Sequence, residues 1–338
     1  MKIKIVGAGS AGNHMAYAFT TFKETTKIVL SDINAKALKR SKKEIFLKRY
    51  KKWDKKISLE IEKENLNKNE KYDAIIISSP PATHKINIKK NIEKSDIFLI
   101  EKPLCAPIKK DIEFFKQLKI KYKKKVFLCG YNHRLFPSTR FLNKKLKKEK
   151  IIFCNVSFKE NTSGFLKAHN WMKSINETYL SKTKLGGGAL CEHSHALNLT
   201  QYFLNEGSYK IINKHSKFNK DSNNFHDTSY HAYLKINGTL CEFEQNFETL
   251  PIEKKILIIT KNKIYTLIYN YKKTNDLLLI NDFKSIKKIK FNKDRKDDFI
   301  YEAKYIIKII NKDYKDKSLD ISNGIKTIEI IYKLLNTK

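Results

Sequence analysis

Cysteine is scarce in this chain. Five residues of 338, Cys105, Cys129, Cys154, Cys191 and Cys241, are all it carries. Their number is odd, their spacing is wide and no two form a CxxC pair. That argues against a disulfide framework and against a cysteine-based zinc site, and fits a reducing compartment. Long apolar runs are lacking too. Stretches such as Ala74–Ile77 and Ile256–Ile259 fall far short of the roughly 18 residues a bilayer-crossing helix needs. Met1 leads straight into the strand-like Lys2–Val6, with no signal peptide ahead of it, so a cytoplasmic protein without a membrane partner is expected. Six prolines and 11 glycines make no Pro/Gly-rich linker, and no internal repeat stands out. The two halves that a chain this long implies, at about 100–200 residues per domain, are therefore expected to be tightly joined.

What is present in excess is lysine. Lys plus Arg is 69 against 35 Asp plus Glu, a formal net charge of +34, and only five of the 69 are Arg. Such a charge raises the question of nucleic acid, since clustered cations bind phosphates by releasing counterions. The lysines, however, run from Lys2 to Lys338 in company with Ile and Asn, a composition that suggests A/T-rich codons. No basic patch interleaves with a reader motif, so a solvated surface and no specific nucleic-acid partner are expected. Hydrophobic residues at 41% and aromatics at 12% argue for a folded chain.

The first 130 residues alternate short apolar strands with helices. Strands are expected at Ile3–Val6, Lys27–Leu30, Ser58–Ile61, Ala74–Ile77, Ile97–Ile100 and Val126–Cys129. Helices are expected at Ala11–Phe22, Asn34–Arg40, Glu44–Trp53, His84–Glu93 and Ile108–Lys119, with a charged surface loop over 62–71. This rhythm implies βαβ units and a parallel sheet covered on both faces. After Gly130 the pattern changes. A helix at 137–147, a strand at Ile151–Glu160 and a Gly-led helix over 186–204 precede a run of β segments: Tyr230–Ile236, Leu240–Phe247, Lys255–Ile259, Ile264–Tyr271 and Asp276–Ile280. Asn237-Gly238 is a strong hairpin signal. Helices at Phe299–Asn311 and Asn323–Leu335 close the chain. The fold class expected is thus α/β: a parallel-sheet domain over residues 1–129, then an α+β domain over 130–338 with a large open, mainly antiparallel sheet. Such sheets often pair across two-fold axes, so a homo-oligomer, dimer or tetramer, is expected.

Gly7-Ala8-Gly9-Ser10-Ala11-Gly12 fits G-x-G-x-x-G between the first strand and the first helix. Gly7 permits a tight turn, Gly9 lets the backbone approach a pyrophosphate, and Gly12 lets helix pack on strand. The phosphates would then rest on the amides of Ser10, Ala11 and their neighbours. Asp32 closes the second strand 20 residues after Gly12, where a carboxylate accepts both adenosine ribose hydroxyls and repels a 2′-phosphate. NAD is the expected cofactor, with NADP as the alternative because Lys36 and Lys39 lie nearby. The Ser78-Ser79-Pro80-Pro81-Ala82-Thr83-His84 and Glu101-Lys102-Pro103 segments end later strands at the same edge of the sheet, where ligands bind.

Taken with Gly130-Tyr131-Asn132-His133-Arg134, with Gly186-Gly187-Gly188 leading to His195, and with the closing Asp320–Leu335 helix, these motifs resemble the glucose–fructose oxidoreductase/inositol dehydrogenase/MocA-like family over essentially the whole chain. The resemblance implies a Rossmann domain followed by an open-sheet domain, and nicotinamide-dependent oxidation or reduction of a sugar or cyclitol carbon. It implies Lys102 beside the nicotinamide and the reacting hydroxyl, Glu101 and Pro103 shaping the cofactor pocket together with Ser78, Ser79, Pro80 and His84, and His195 as the histidine that moves the hydroxyl proton. The family often places Asp four residues before that histidine. Here Cys191 stands there, and Glu192 lies three before, on the same face if the helix is continuous. The segment Glu192–Asn198, with Trp171 and Tyr179 upstream, looks most similar to members encoded with bacterial surface-polysaccharide sugar pathways, which implies a sugar or nucleotide-sugar substrate.

The residues carry this chemistry on their own terms. Moving a hydride from a secondary alcohol requires removal of the hydroxyl proton and stabilisation of the oxygen. Lys102 and His195 suit those tasks, and Glu192 suits orienting the imidazole. Asn132 and Arg134 suit substrate hydroxyls or the nicotinamide ribose, and Trp171 and Tyr179 suit a sugar face. Plainer readings compete: a hinge network for Asn132, His133 and Arg134, core packing for Trp171, a surface ion pair for Glu192, a structural place for His193. His169, Asp227 and His231 lack metal-ligand spacing, so no metal is expected. A non-catalytic NAD(H) sensor or scaffold is the functional alternative.

Overall fold

The computed structural model describes residues 1–62, 70–169, 171–221, 223–272, 274–313 and 315–337. The charged loop expected over 62–71 falls mostly on residues 63–69, outside the described residues. The chain divides into two compact units, Met1–Asn132 with Lys296–Ile325, and His133–Arg295 with Lys326–Lys338.

The first unit is built on strands β1 (Lys2–Val6), β2 (Lys27–Asp32), β3 (Ile57–Ile61), β4 (Ala74–Ile77), β5 (Ile97–Ile100) and β6 (Val126–Cys129). They form one sheet in the order β3-β2-β1-β4-β5-β6, parallel throughout. That is the order of a doubly wound dinucleotide-binding sheet. The helices are α1 (Ser10–Thr20), α2 (Ala35–Arg40), α3 (Phe46–Tyr50), α4 (His84–Asn91) and α5 (Lys109–Lys121). Strands buried on both faces explain the near-continuous Ile and Val runs: Ile3, Ile5, Ile75, Ile76 and Leu99 are inaccessible to solvent. Lys4 is the exception on β1. Its buried Nζ lies 3.0 Å from carboxylate oxygens of both Glu60 and Glu62.

The second unit holds β7 (Ile151–Lys159), β8 (Tyr209–Lys220), β9 (Phe225–Ile236), β10 (Thr239–Asn246), β11 (Glu253–Thr260), β12 (Ile264–Tyr271), β13 (Asn275–Asn281) and β14 (Ile286–Asn292). Their order is β14-β13-β12-β11-β7-β10-β9-β8. All pairs are antiparallel except β7 with β10, which run parallel with Cys154 opposite Cys241. The β9–β10 hairpin turns on Asn237 and Gly238, both at positive φ (49° and 78°), as a two-residue turn between twisted strands requires. Helices α6 (Pro137–Leu146), α7 (Thr162–Ala168), α8 (Ala189–Glu192) and α9 (His195–Phe203) accompany the sheet, α9 lying against β7 and β10.

The continuous helix expected over 186–204 is instead the two short helices α8 and α9. Gly188 has φ +91°, and a turn at His193–Ser194 separates the helices. The His193 carbonyl accepts a 2.6 Å hydrogen bond from the buried Gln245 amide of β10 as well as the Ala196 N–H at 2.9 Å. Glu192 is thus the last residue of α8 and His195 the first of α9.

The chain then re-enters the first unit through α10 (Asp297–Ile310) and the start of α11 (Ile321–Asn336), a stretch the sequence reading placed with the second half. Several contacts hold it, an ion pair of Lys119 with Asp320 among them. His14 of α1 stacks on Phe299 at 4.7 Å, and the Cys129 N–H donates to the Leu319 carbonyl at 2.8 Å. All five cysteines are buried thiols. Among the described residues no helix is long and apolar enough to cross a membrane.

Lys4→Met should cost about 2–3 kcal/mol in urea unfolding, because it leaves two carboxylates facing each other at the sheet; partial exposure of Glu60 keeps the loss below that of a wholly buried pair. An unchanged midpoint would show that the pair is energetically idle.

Candidate functional site

In the first unit the carboxyl ends of β1, β2, β4 and β5 gather the predicted residues. Gly7 leaves β1 at φ +109° and donates its N–H to the Ser31 carbonyl at 2.8 Å. A Cβ there would stand 2.6 Å from the Ser79 nitrogen, and one on Gly12 would stand 1.9 Å from the Gly7 oxygen. No heavy atom lies within 4 Å of a Cβ built on Gly9. The first and third glycines are thus demanded by the protein itself, while the second faces open space. Gly9 caps α1 without a side-chain hydrogen bond, so the first-turn N–H groups carry a partial positive charge toward that space. A dinucleotide pyrophosphate fits this cradle.

Asp32 braces the turn. Its Oδ2 accepts from the Ala8 N–H at 2.7 Å and its Oδ1 from the Asn34 N–H at 2.8 Å. Each carboxylate oxygen keeps further acceptor capacity for ribose hydroxyls. The Ser78 hydroxyl bonds the Gly7 and Val6 carbonyls at 3.0 and 3.2 Å, tying β4 to the turn. The Ser79 hydroxyl takes donors from Thr83 and Asn87, each at 2.8 Å. His84 is wholly buried, its ring between the Ser79 and Leu104 carbonyls at 2.7 and 3.0 Å. Only a doubly protonated ring donates to both, whereas burial pushes the His84 pKa down. Its place is a brace between two loops, behind the surface that Pro80 presents.

Glu101 follows β5, buried against Gly130, and its Oε2 accepts the Lys102 N–H at 3.3 Å. Lys102 is half-buried at the same sheet end. Sequence reasoning missed the group behind them. Glu302 of α10 is fully buried, and its pKa is pushed well up, first by burial and then by the charges of Glu101 and Asp298. Glu101 and Glu302 thus disfavour ionisation of each other in the interior of this unit. No local signal could reveal it, because the two lie some 200 residues apart in sequence. Asn132, also buried, closes this unit.

In the second unit His195 opens α9, partly exposed, with its ring 4.1 Å from that of His133. His133 is buried among Phe136, Phe158 and Tyr269. Its pKa is driven well below the ordinary histidine value by burial, then by the charges of His195, Lys293, Lys254 and Arg295. An accessible imidazole is therefore backed by a neutral one. Arg134, expected among the substrate groups, is turned inward. Its Nε donates to Asn198 Oδ1 at 2.5 Å and its Nη2 to the Asn198 carbonyl at 3.0 Å, and it pairs with Glu206. Those contacts fasten the 3₁₀ turn after β6 to α9, because a fully buried guanidinium needs its donors matched.

Glu192 and His193 line a small, partly open cavity with Glu160, Thr162, Phe165 and Phe247. Trp171 reaches the same neighbourhood indirectly: it meets His169 edge-on at 5.2 Å, and His169 stacks on Phe165 at 4.1 Å. The Tyr179 carbonyl lies against Gly187, where a Cβ would stand 2.1 Å away. The buried Asp227 on β9 caps α8 through a 2.6 Å bond from the Leu190 N–H. Glu160, Thr162 and Phe247 were not anticipated, since they come together only through the pairing of β7, β10 and the loops that follow.

The parallel sheet with its glycine turn and the large open sheet define an α/β protein with an N-terminal Rossmann domain. The family model described as "Oxidoreductase family, NAD-binding Rossmann fold" (GFO_IDH_MocA) matches residues 1–131. The match spans less than half of the chain and falls on the first unit, whose parallel sheet and glycine turn are those of an NAD-binding Rossmann domain. None of the curated proteins matches the sequence. Among solved structures, KijD10, a 3-ketoreductase from Actinomadura kijaniata in complex with NADP and TDP-benzene, is similar with a TM-score of 0.77 at 11% identity, over 99% of this chain and 97% of that one. UDP-N-acetylglucosamine 3-dehydrogenase GnnA from Acidithiobacillus ferrooxidans follows with 0.69 at 13% identity, over 99% and 96%. GenD2 from gentamicin A biosynthesis, in complex with NAD, gives 0.72 at 12% identity, over 99% and 92%. Identities this low establish a shared fold.

The Asp227 carboxyl supplies a test of the α8 cap. Burial raises its pKa to about 7, while the unfolded chain titrates near 4. Between those values the native state holds a proton that the unfolded state has released. Its contribution is therefore full below about pH 4 and is lost as pH rises to about 7, by up to about 4 kcal/mol. Asp227→Asn should flatten this part of the pH–stability curve in urea unfolding; parallel curves for the two proteins would refute the assignment.

Proposed function

We propose that the chain is an NAD-dependent oxidoreductase that moves a hydride between nicotinamide and a secondary alcohol or keto carbon of a sugar, nucleotide-linked sugars included. The carrying observation is Lys102, a half-buried cation at the carboxyl end of β5, two strands along the parallel sheet from β1, which ends in the dinucleotide turn. Ligands of such sheets bind at that edge. The substrate class is supported by what the similar structures hold or act on, a thymidine-diphosphate compound in one and a UDP-linked sugar in another.

Nicotinamide, when bound, supplies the hydride acceptor or donor. The Lys102 ammonium stabilises charge on the reacting oxygen. His195 takes or returns the hydroxyl proton, and its buried neighbour His133 keeps a second positive charge away from it. Glu192 sits beside His193 in the cavity of the second unit, a place suited to accepting sugar hydroxyls. Trp171 and Tyr179 serve the sugar face from the preceding segment. Asp32 reads the adenosine ribose and disfavours a 2′-phosphate through charge repulsion, so NADH should bind at least tenfold more tightly than NADPH in fluorescence titration. Equal affinities would remove Asp32 from that role.

Lys102→Ala should lower kcat by at least about a thousandfold in a sugar panel read at the nicotinamide absorbance band, while NADH affinity stays within about threefold. A variant with the parent kcat would overturn the assignment. A parent protein that binds NADH tightly yet turns over no sugar or nucleotide sugar would favour a sensor or scaffold.

A further inference from the structure

The dinucleotide turn offers amides and a helix N-terminus but no cation of its own between Gly7 and Gly12. A pyrophosphate brings two negative charges. The structure supplies a cation from elsewhere in the first unit. After α2 the chain makes one wide turn over Ser41–Ile45, closed by the Phe46 N–H on the Ser41 carbonyl, before α3. An inserted residue rotates the face that follows by about 100°. The face presented to α1 carries Arg49 and Tyr50. The Nη1 of Arg49 lies 3.0 Å from the Ser10 hydroxyl, at the first residue of α1, and 3.1 Å from His14 Nε2.

The mount is rigid. Tyr50 stacks on Tyr17 at 3.7 Å with the rings nearly parallel, and its hydroxyl meets His14 Nδ1. The His14 ring stacks in turn on Phe299. Because a guanidinium only donates, His14 Nε2 accepts and its Nδ1 carries the proton toward Tyr50. Arg49 is thus held by aromatic packing on one side and by the phosphate turn on the other. Only five arginines occur in the chain, and a planar guanidinium matches phosphate oxygens better than the abundant ammonium groups do.

We propose that Arg49 is the charge partner of the cofactor's pyrophosphate, acting across Ser10 at the α1 N-terminus. The inference rests on dinucleotide binding by the first unit and not on the substrate reaction, so a chain that binds NADH but oxidises no sugar leaves it standing. Binding titrations of NADH, ADP-ribose, adenosine and NADPH against Arg49→Gln and Tyr50→Phe test it. Arg49→Gln should weaken NADH and ADP-ribose by about tenfold, the loss shrinking in high salt, and leave adenosine unchanged. Tyr50→Phe, which loosens the mount at His14 but keeps the ring stack and the cation, should weaken NADH clearly less than Arg49→Gln does, by about two- to threefold. The proposal fails if Arg49→Gln binds NADH as the parent does. It fails equally if Tyr50→Phe loses as much affinity, which would mark a packing effect. A loss confined to NADPH would also refute it, by moving Arg49 to the ribose phosphate.

Discussion

The close approach of the β1–α1 turn to the end of β4 is the constraint on which the first unit depends. Gly12 presses against the Gly7 carbonyl, and Gly7 against the Ser78–Ser79 backbone, at separations that leave no room for a Cβ. Ser78 then bonds the same turn from β4, and Asp32 bonds it from β2. Three strand ends are thereby fixed around one bend, and the N–H groups of α1 point where the strands stop. The preorganisation comes before any ligand: donors are held by backbone packing, so binding costs little reordering. Gly9, which no protein atom crowds, is the one glycine of the three whose freedom belongs to the ligand.

The second unit solves a different problem, how to set polar groups at the edge of a large sheet without exposing its core. Asp227 caps α8, Gln245 takes the His193 carbonyl, and Arg134 takes the Asn198 carbonyl. Each bond satisfies a backbone group of α8, α9 or the turn between them from outside those helices. His195 begins a new helix beside His133 instead of continuing the one that carries Glu192, and Glu192 is left to the cavity with His193. Two imidazoles and a carboxylate that the sequence places on one helix are thereby divided between two.

That division marks the limit of what the sequence discloses. Strands buried on both faces are legible as Ile runs, and the β9–β10 turn as Asn237-Gly238, because these features arise from neighbours in the chain. Glycines forced by sterics are legible for the same reason. β8 is not: an edge strand with alternating half-exposed positions in YKIINKHSKFNK carries little apolar signal. Nor are Glu302, Gln245 or Arg49, whose partners lie far away in sequence. Arg134 shows the opposite failure. A cation next to a strand end at a junction has a functional look, yet burial decides its use, since Asn198 and Glu206 absorb its donors.

The net charge of +34 bears on how such buried groups behave. A field that positive should favour ionised carboxylates everywhere, yet Asp227 is raised to about 7 and Glu302 higher than ordinary carboxyls. Desolvation wins because the surface lysines sit in water, where their influence is screened within about 8–10 Å, while loss of hydration acts on the buried group itself. The lysine excess therefore sets solvation of the surface and leaves the interior to local chemistry. Cations that matter inside are those with specific counter-groups, among them Lys4 between two glutamates, Arg134 paired with Glu206, Lys293 over the Phe136 ring and near Asp276, and Arg49 at the α1 N-terminus. In a chain with this composition, the position of a positive charge carries information that its presence does not.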